Sequence, residues 1–241
     1  MTGRLIGVGV GPGDPELMTL KAVRALGSAN VVAHFAKAGQ AGNGRSIAQD
    51  HFPADAEELP LHYPVTTEIP KDAEAYRDSI RTFYDAAAAS IATRLEAGRV
   101  VAVICEGDPL FYGSYMHLHT RLAPLYPTEV VAGVSGMSGC WSAAGVPIAQ
   151  GDDVLTVLPA TLPLAELERR LAETDAAVIM KVGRHLPKVR RALAQARRLS
   201  RAVYVERGTM AGAQIVPLAD KTDDRAPYFA VVLVPGWASR P

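Results

Sequence analysis

Three short segments of this 241-residue chain combine glycine with proline, an acid or a hydroxyl in a way that suits close backbone approach to a small molecule. They are Gly7-Val8-Gly9-Val10-Gly11-Pro12-Gly13-Asp14, Glu106-Gly107-Asp108-Pro109 and Ala132-Gly133-Val134-Ser135-Gly136. Glycine allows a tight turn with close backbone approach, Pro12 restricts its turn, and Asp14, Asp108 and Ser135 can each cap a following helix. Dinucleotide binding is the first chemistry to test. The G-x-G-x-x-G fingerprint fails in both registers, because Pro12 or Asp14 stands where the third glycine belongs. The next strand ends Ala33-His34-Phe35, with no acid for a ribose hydroxyl, and no Gly-Lys-Ser/Thr follows to make a phosphate loop. A plain strand-to-helix turn and a ligand loop of another kind remain open for the first segment.

These loops must be held by strands and helices. Residues 5–10, 30–35, 99–105 and 129–132 are short β-branched or apolar runs that read as buried strands. Helical patterns fall over 19–26, 72–97, 115–125 and 138–144, and residues 36–70 read as a long loop with a short helix near Ser46 and a strand near 58–61. The pattern then restarts with strands at 154–158, 177–181, 202–206, 214–218 and 229–234, and helices at 164–172 and 188–198. Strands alternating with helices indicate α/β architecture, and open α/β sheets bind ligands beyond the carboxyl ends of their strands, where all three glycine segments lie. We expect two α/β domains, 1–149 and 150–241, the first sheet mainly parallel and the second mixed because its last strands lack intervening helices.

Composition narrows the class. Lys plus Arg and Asp plus Glu number 25 each, which argues against a nucleic-acid binder. The basic helix with Lys188, Arg190, Arg191, Arg197 and Arg198 carries flanking leucines and alanines and no stacking aromatics, so it reads as an amphipathic surface helix. Cys105 and Cys140 lack metal-ligand spacing, and no metal site is expected. The apolar runs are too short to span a bilayer, and the start of the chain lacks the apolar stretch of a signal peptide. A cytoplasmic enzyme is the expectation, with no nucleic-acid or membrane partner.

The three glycine segments, with Leu17-Met18-Thr19-Leu20-Lys21-Ala22 after the first and Gly113 after the second, resemble the tetrapyrrole (corrin/porphyrin) methylase family. Met180-Lys181-Val182-Gly183 and Glu206-Arg207-Gly208-Thr209 add weaker echoes in the right order. Within the family, Gly107 to Ser114 followed by Leu118-His119, and Met180 to Leu186, resemble the branch that methylates C20 of precorrin-2 or its cobalt form on the route to vitamin B12. The resemblance implies S-adenosylmethionine as methyl donor, held in a cleft between the two domains, and a homodimer. Carried over by position, the donor contacts are Pro12, Glu106, Gly107, Asp108, Phe111, Ser135, Gly136, Val182 and Gly208. Glu106 stands where many relatives have glycine, so its side chain is expected to point away. Ser135-Gly136 replaces a Thr-Ala pair, and Val182 replaces a larger residue.

Transfer from a sulfonium to an electron-rich carbon needs mainly positioning and desolvation, and no catalytic base is identified. A polycarboxylate acceptor calls for basic residues: Arg45 and Arg184 first, with Lys37, Lys71 and Lys188 behind them. Tyr112, beside the second segment, can contact the acceptor or simply pack. His34, His117 and His119 are further candidates for orienting the macrocycle. Competing readings are a sister methylase of the uroporphyrinogen III type, a non-catalytic donor-binding module and, disfavoured by the failed fingerprint, a dinucleotide oxidoreductase.

Overall fold

A computed structural model describes residues 2–64 and 74–236. The chain divides into two compact units, Met1–Gly136 and Met137–Pro241. In the first, five strands, β1 (Arg4–Gly9), β2 (Val31–Lys37), β3 (Glu57–Tyr63), β4 (Val100–Cys105) and β5 (Thr128–Val131), form a wholly parallel sheet in the order β3-β2-β4-β1-β5. Helices α1 (Leu20–Gly27), α2 (Asn43–Ala48), α3 (Glu74–Glu96) and α4 (Tyr115–Leu122) make the crossovers.

Alternation along the strands splits the core into two layers. Ile6, Val8 and Val10 pack with Ala22, Leu26, Ile47 and Ala48 of α1 and α2. Leu5, Val101 and Val103 pack with Tyr84, Ile91, Leu95, Tyr115 and Leu118 of α3 and α4. Full burial of a leucine or isoleucine side chain contributes about 1.5–3 kcal/mol, so the two layers hold the sheet from both faces. Helix α1 starts where Thr19 Oγ1 accepts from the Ala22 amide at 3.0 Å. The expected loop at 36–70 contains α2 and a seven-residue β3 longer than the strand foreseen. Pro60 sits comfortably there because β3 is an edge strand. Helix α4 stops three residues short of its expected end, just before Pro124. Asp72 and Ala73, the expected start of α3, lie outside the described residues.

The connection out of β1 runs towards β2, and that out of β4 runs towards β5, although β1 and β4 are neighbours. Their crossovers therefore leave in opposite directions, which makes the carboxyl ends of these two strands the topological switch point, the usual ligand position in open α/β sheets.

The second unit has strands β6 (Leu155–Pro159), β7 (Ala176–Met180), β8 (Val203–Glu206), β9 (Gln214–Pro217) and β10 (Ala230–Val234) in the order β6-β7-β10-β8-β9. Only β6 and β7 are parallel, so the sheet is mixed. Helices α6 (Leu164–Glu173) and α7 (Leu186–Gln195) cover one face through Leu167, Leu171, Val189 and Leu193. Helix α5 (Gly136–Ala143) covers the other, where Met137, Cys140 and Trp141 pack on Val178, Val205 and Leu233. That packing is why the division falls after Gly136 and not at the expected 149/150.

Candidate functional site

The three glycine segments of the first unit meet backbone to backbone. The Gly107 amide donates to Gly11 O at 2.7 Å, and Val10 N to Cys105 O at 3.0 Å, which ties the loop after β4 to the loop after β1. A methyl group on Gly9 would come within 2.6 Å of Gly107 O and of the Gly133 backbone, and one on Gly133 would overlap Gly107 O. No side chain fits in this seam at Gly9 or Gly133, which explains glycine at those two positions; at Gly107 the backbone conformation calls for it. Asp108 fixes the seam: Oδ1 accepts from Leu110 N at 2.9 Å and Oδ2 from Gly133 N at 3.1 Å. Gly107, at φ +66°, faces Ser135 and the Gly136 amide. The structure thus brings together Gly107, Asp108, Ser135 and Gly136, with Pro12 next to the bridging Gly11. Phe111 follows with its amide on Asp108 O at 3.3 Å and its ring edge-on to Tyr112 at 4.8 Å.

Glu106 turns its side chain to α2, where Oε1 accepts from Gly44 N at 3.1 Å. Burial pushes its carboxyl above the ordinary carboxylate range, partly offset by the Gly44 amide and the Asn43 side chain. Its backbone remains at the loop, in keeping with the side chain's expected direction away from it. Beneath the same loop Tyr63 and Ser114 share a short hydrogen bond, and burial raises both Tyr63 and Tyr84. This hydroxyl group was not foreseen, because Tyr63 belongs to the segment read as mostly loop; the alternation Leu59, Leu61, Tyr63 was its signal.

Val182 and Gly208 belong to the second unit and lie at one end of its sheet, just past β7 and β8. Val182 is fully buried in the core against α7, so its side chain packs and only its backbone is left for a ligand. Gly208 lies against Cys140 and Val205, with no room for a side chain.

The proposed acceptor residues fare unevenly. Arg45 donates to both Glu58 oxygens, at 2.6 and 3.0 Å, and to Gln49 Oε1 at 2.8 Å, so its guanidinium is committed within the first unit. Lys188 donates to Leu162 O at 2.6 Å. Tyr112 and Arg184 are exposed, and Lys71 lies outside the described residues. The histidines take packing positions. His34 is 4% exposed, 3.6 Å from Glu58, and held below its usual range chiefly by burial. His117 stacks on Tyr84 at 4.2 Å, and His119 Nδ1 lies 3.2 Å from Tyr115 Oη. Burial raises the Cys105 and Cys140 thiols to about 11, so neither is an activated nucleophile. Among the described residues no three His, Cys, Asp or Glu side chains are grouped to hold a metal, and no helix is long and apolar enough to cross a membrane.

A parallel sheet with glycine loops knitted at its switch point, followed by a mixed α/β unit, defines a class of methyltransferase: the model of the tetrapyrrole (corrin/porphyrin) methylases matches residues 4–221, and the chain belongs to that family. More particularly, it is 65% identical over 239 residues to a precorrin-2 C(20)-methyltransferase from Sinorhizobium sp., covering 99% of this chain and 98% of that one. It is 30% identical over 239 residues to a cobalt-precorrin-2 C(20)-methyltransferase from Salmonella typhimurium, covering 97% of each. Its fold matches a uroporphyrin-III C-methyl transferase from Thermus thermophilus, solved in complex with S-adenyl homocysteine, with a TM-score of 0.64, 23% identity and 96% of each chain covered.

Proposed function

We propose that the chain transfers a methyl group from S-adenosylmethionine to C20 of precorrin-2 in cobalamin biosynthesis. The observation that carries this reading is the 65% identity, over practically the whole of both chains, to the Sinorhizobium enzyme. The lower identity to the cobalt-precorrin-2 enzyme favours metal-free precorrin-2 as acceptor.

The loop beside the seam fits such a donor, because a side chain on Gly136 would meet nothing within 4 Å and the backbone there stands open at the switch point. The residues proposed to contact the donor are Pro12, Glu106, Gly107, Asp108, Phe111, Ser135, Gly136, Val182 and Gly208. When bound, the donor supplies an electrophilic methyl on a good leaving group. The chain's own part is orientation and exclusion of water. Asp108 keeps two loops in register, Glu106 anchors α2 through Gly44, and Phe111 packs its ring edge-on against Tyr112 beside them. We further propose a cytoplasmic homodimer, tested by sizing at several protein concentrations.

The deciding assay is anaerobic turnover of enzymatically made precorrin-2, metal-free and cobalt-loaded, with S-adenosylmethionine, followed by mass and NMR location of the new methyl. One added methyl at C20 of the metal-free substrate is expected. A methyl at another carbon would move the chain to another branch of the family.

A further inference from the structure

Four residues other than glycine hold a left-handed backbone among the described residues: Tyr112, Lys181, Arg197 and Arg207, with φ of 55, 58, 57 and 51°. Arg197 has an ordinary reason, since it closes α7 and the Arg198 amide returns to Leu193 O at 2.8 Å. Lys181 and Arg207 close no helix. Each is the first residue past a strand, β7 or β8, and each is exposed and cationic. Glycine is the unstrained occupant of such a position, and strain retained at the edge of a sheet is a mark of a functional site.

The sheet fixes their spacing. Val232 of β10 faces Ile179 on β7 and Tyr204 on β8. Lys181 therefore stands level with Glu206, and Arg207 is one residue further along. Two strand spacings separate their Cα atoms, about 10 Å. Arg207 is held in place by its amide on Phe229 O and by the Met210 amide on its own carbonyl, both at 2.8 Å. The neighbouring acid, Glu206, accepts from Tyr204 Oη at 2.7 Å. Each cation also sits beside a residue, Val182 or Gly208, assigned above to the donor.

We infer that Lys181 and Arg207 are a pair of carboxylate receptors for two acid arms of the tetrapyrrole acceptor. This rests on the function proposed above. The donor also carries a carboxylate, but it has only one. A macrocycle bearing acid chains around its rim offers a partner to each cation.

The test replaces each residue with the unstrained one. Lys181→Gly and Arg207→Gly are expected to melt no lower than the parent protein, since glycine relieves the backbone. The KM for precorrin-2 should rise about five- to tenfold in each, the range for an exposed charge-assisted contact, with kcat little changed. Fluorescence titration with uroporphyrin, a stable polycarboxylate probe, should weaken in parallel, and the gap should close at high salt. Affinity for S-adenosylhomocysteine by calorimetry should stay the same, and Arg207→Lys should restore most of the acceptor affinity. Unchanged KM and unchanged uroporphyrin binding in both glycine variants would overturn the assignment. So would a loss confined to S-adenosylhomocysteine, or a large drop in melting temperature that marks the side chains as structural. If the parent protein fails to methylate precorrin-2, the proposed function falls, and the uroporphyrin titration decides this inference separately.

Discussion

Asp108 uses its two carboxylate oxygens on two different loops, Oδ1 on its own turn at Leu110 and Oδ2 on Gly133. Asp108→Ala removes both acceptors and leaves the Gly133 amide without its partner, at a cost of about 1–3 kcal/mol. We expect the variant to stay folded and its calorimetric affinity for S-adenosylhomocysteine to fall tenfold or more. Glu106 allows a pH prediction. Burial raises its carboxyl above the ordinary value of 4.5. The folded state then holds its proton more tightly than the unfolded one, so the stability this confers is complete below 4.5 and fades as pH rises through the raised value. Glu106→Gln abolishes that dependence. Chemical denaturation between pH 4 and 8 should show the variant gaining on the parent protein as pH increases, and a constant gap would argue against a buried carboxyl. Asp108 was legible in the sequence because Gly-Asp-Pro after a strand is compact and local. Its bond to Gly133 was not, since the partner lies 25 residues away. Arg45 shows the converse: sequence displays the charge and hides the Glu58 of β3 that occupies it.

The elements were mostly readable because strand alternation and helical periodicity are local. What escaped was an element's cover. Residues 57–63 alternate imperfectly and include Pro60, features of an edge strand that also suit a loop. Gly7 shows how closely neighbouring elements are fitted. A methyl group there would come within 2.3 Å of the ring of Tyr115 on α4, whose hydroxyl burial raises to about 12. Gly7→Ala should therefore cost about 1–3 kcal/mol by overpacking. Adding Tyr115→Leu should recover part of the loss, and a double-mutant cycle by urea denaturation measures the coupling. Strict additivity of the two changes would show that β1 and α4 are less tightly fitted than the structure indicates.

For the whole molecule, the position of α5 sets where the chain divides. Pro147 and the turn at Gly151 marked a boundary by composition, but Trp141, Cys140 and Met137 commit α5 to the second sheet. A fragment of residues 1–149 carries that helix without its partner strands, whereas a fragment ending at 136 does not. We expect the longer fragment to bind more of a hydrophobic dye and to aggregate more readily, read by fluorescence and light scattering. Equal behaviour would return the boundary to its composition-based place. The two-unit α/β plan was legible from the restart of the strand–helix pattern, while the exact division depended on which sheet α5 covers.

The strand order has a consequence for the growing polypeptide. Strand β1 pairs with β4 and β5 and with neither of the strands that follow it directly. Its first partner residue, Val100, is joined to Arg4 only after the intervening chain has been made. At about 5–20 residues per second, β1 waits roughly 5–20 s on the ribosome with both edges bare. The glycine seam beyond it, which needs the loops after β4 and β5, forms later still. Birth of this protein is thus a race between completion of β4 and capture of an apolar N-terminal strand by something else, and slower translation lengthens the exposure.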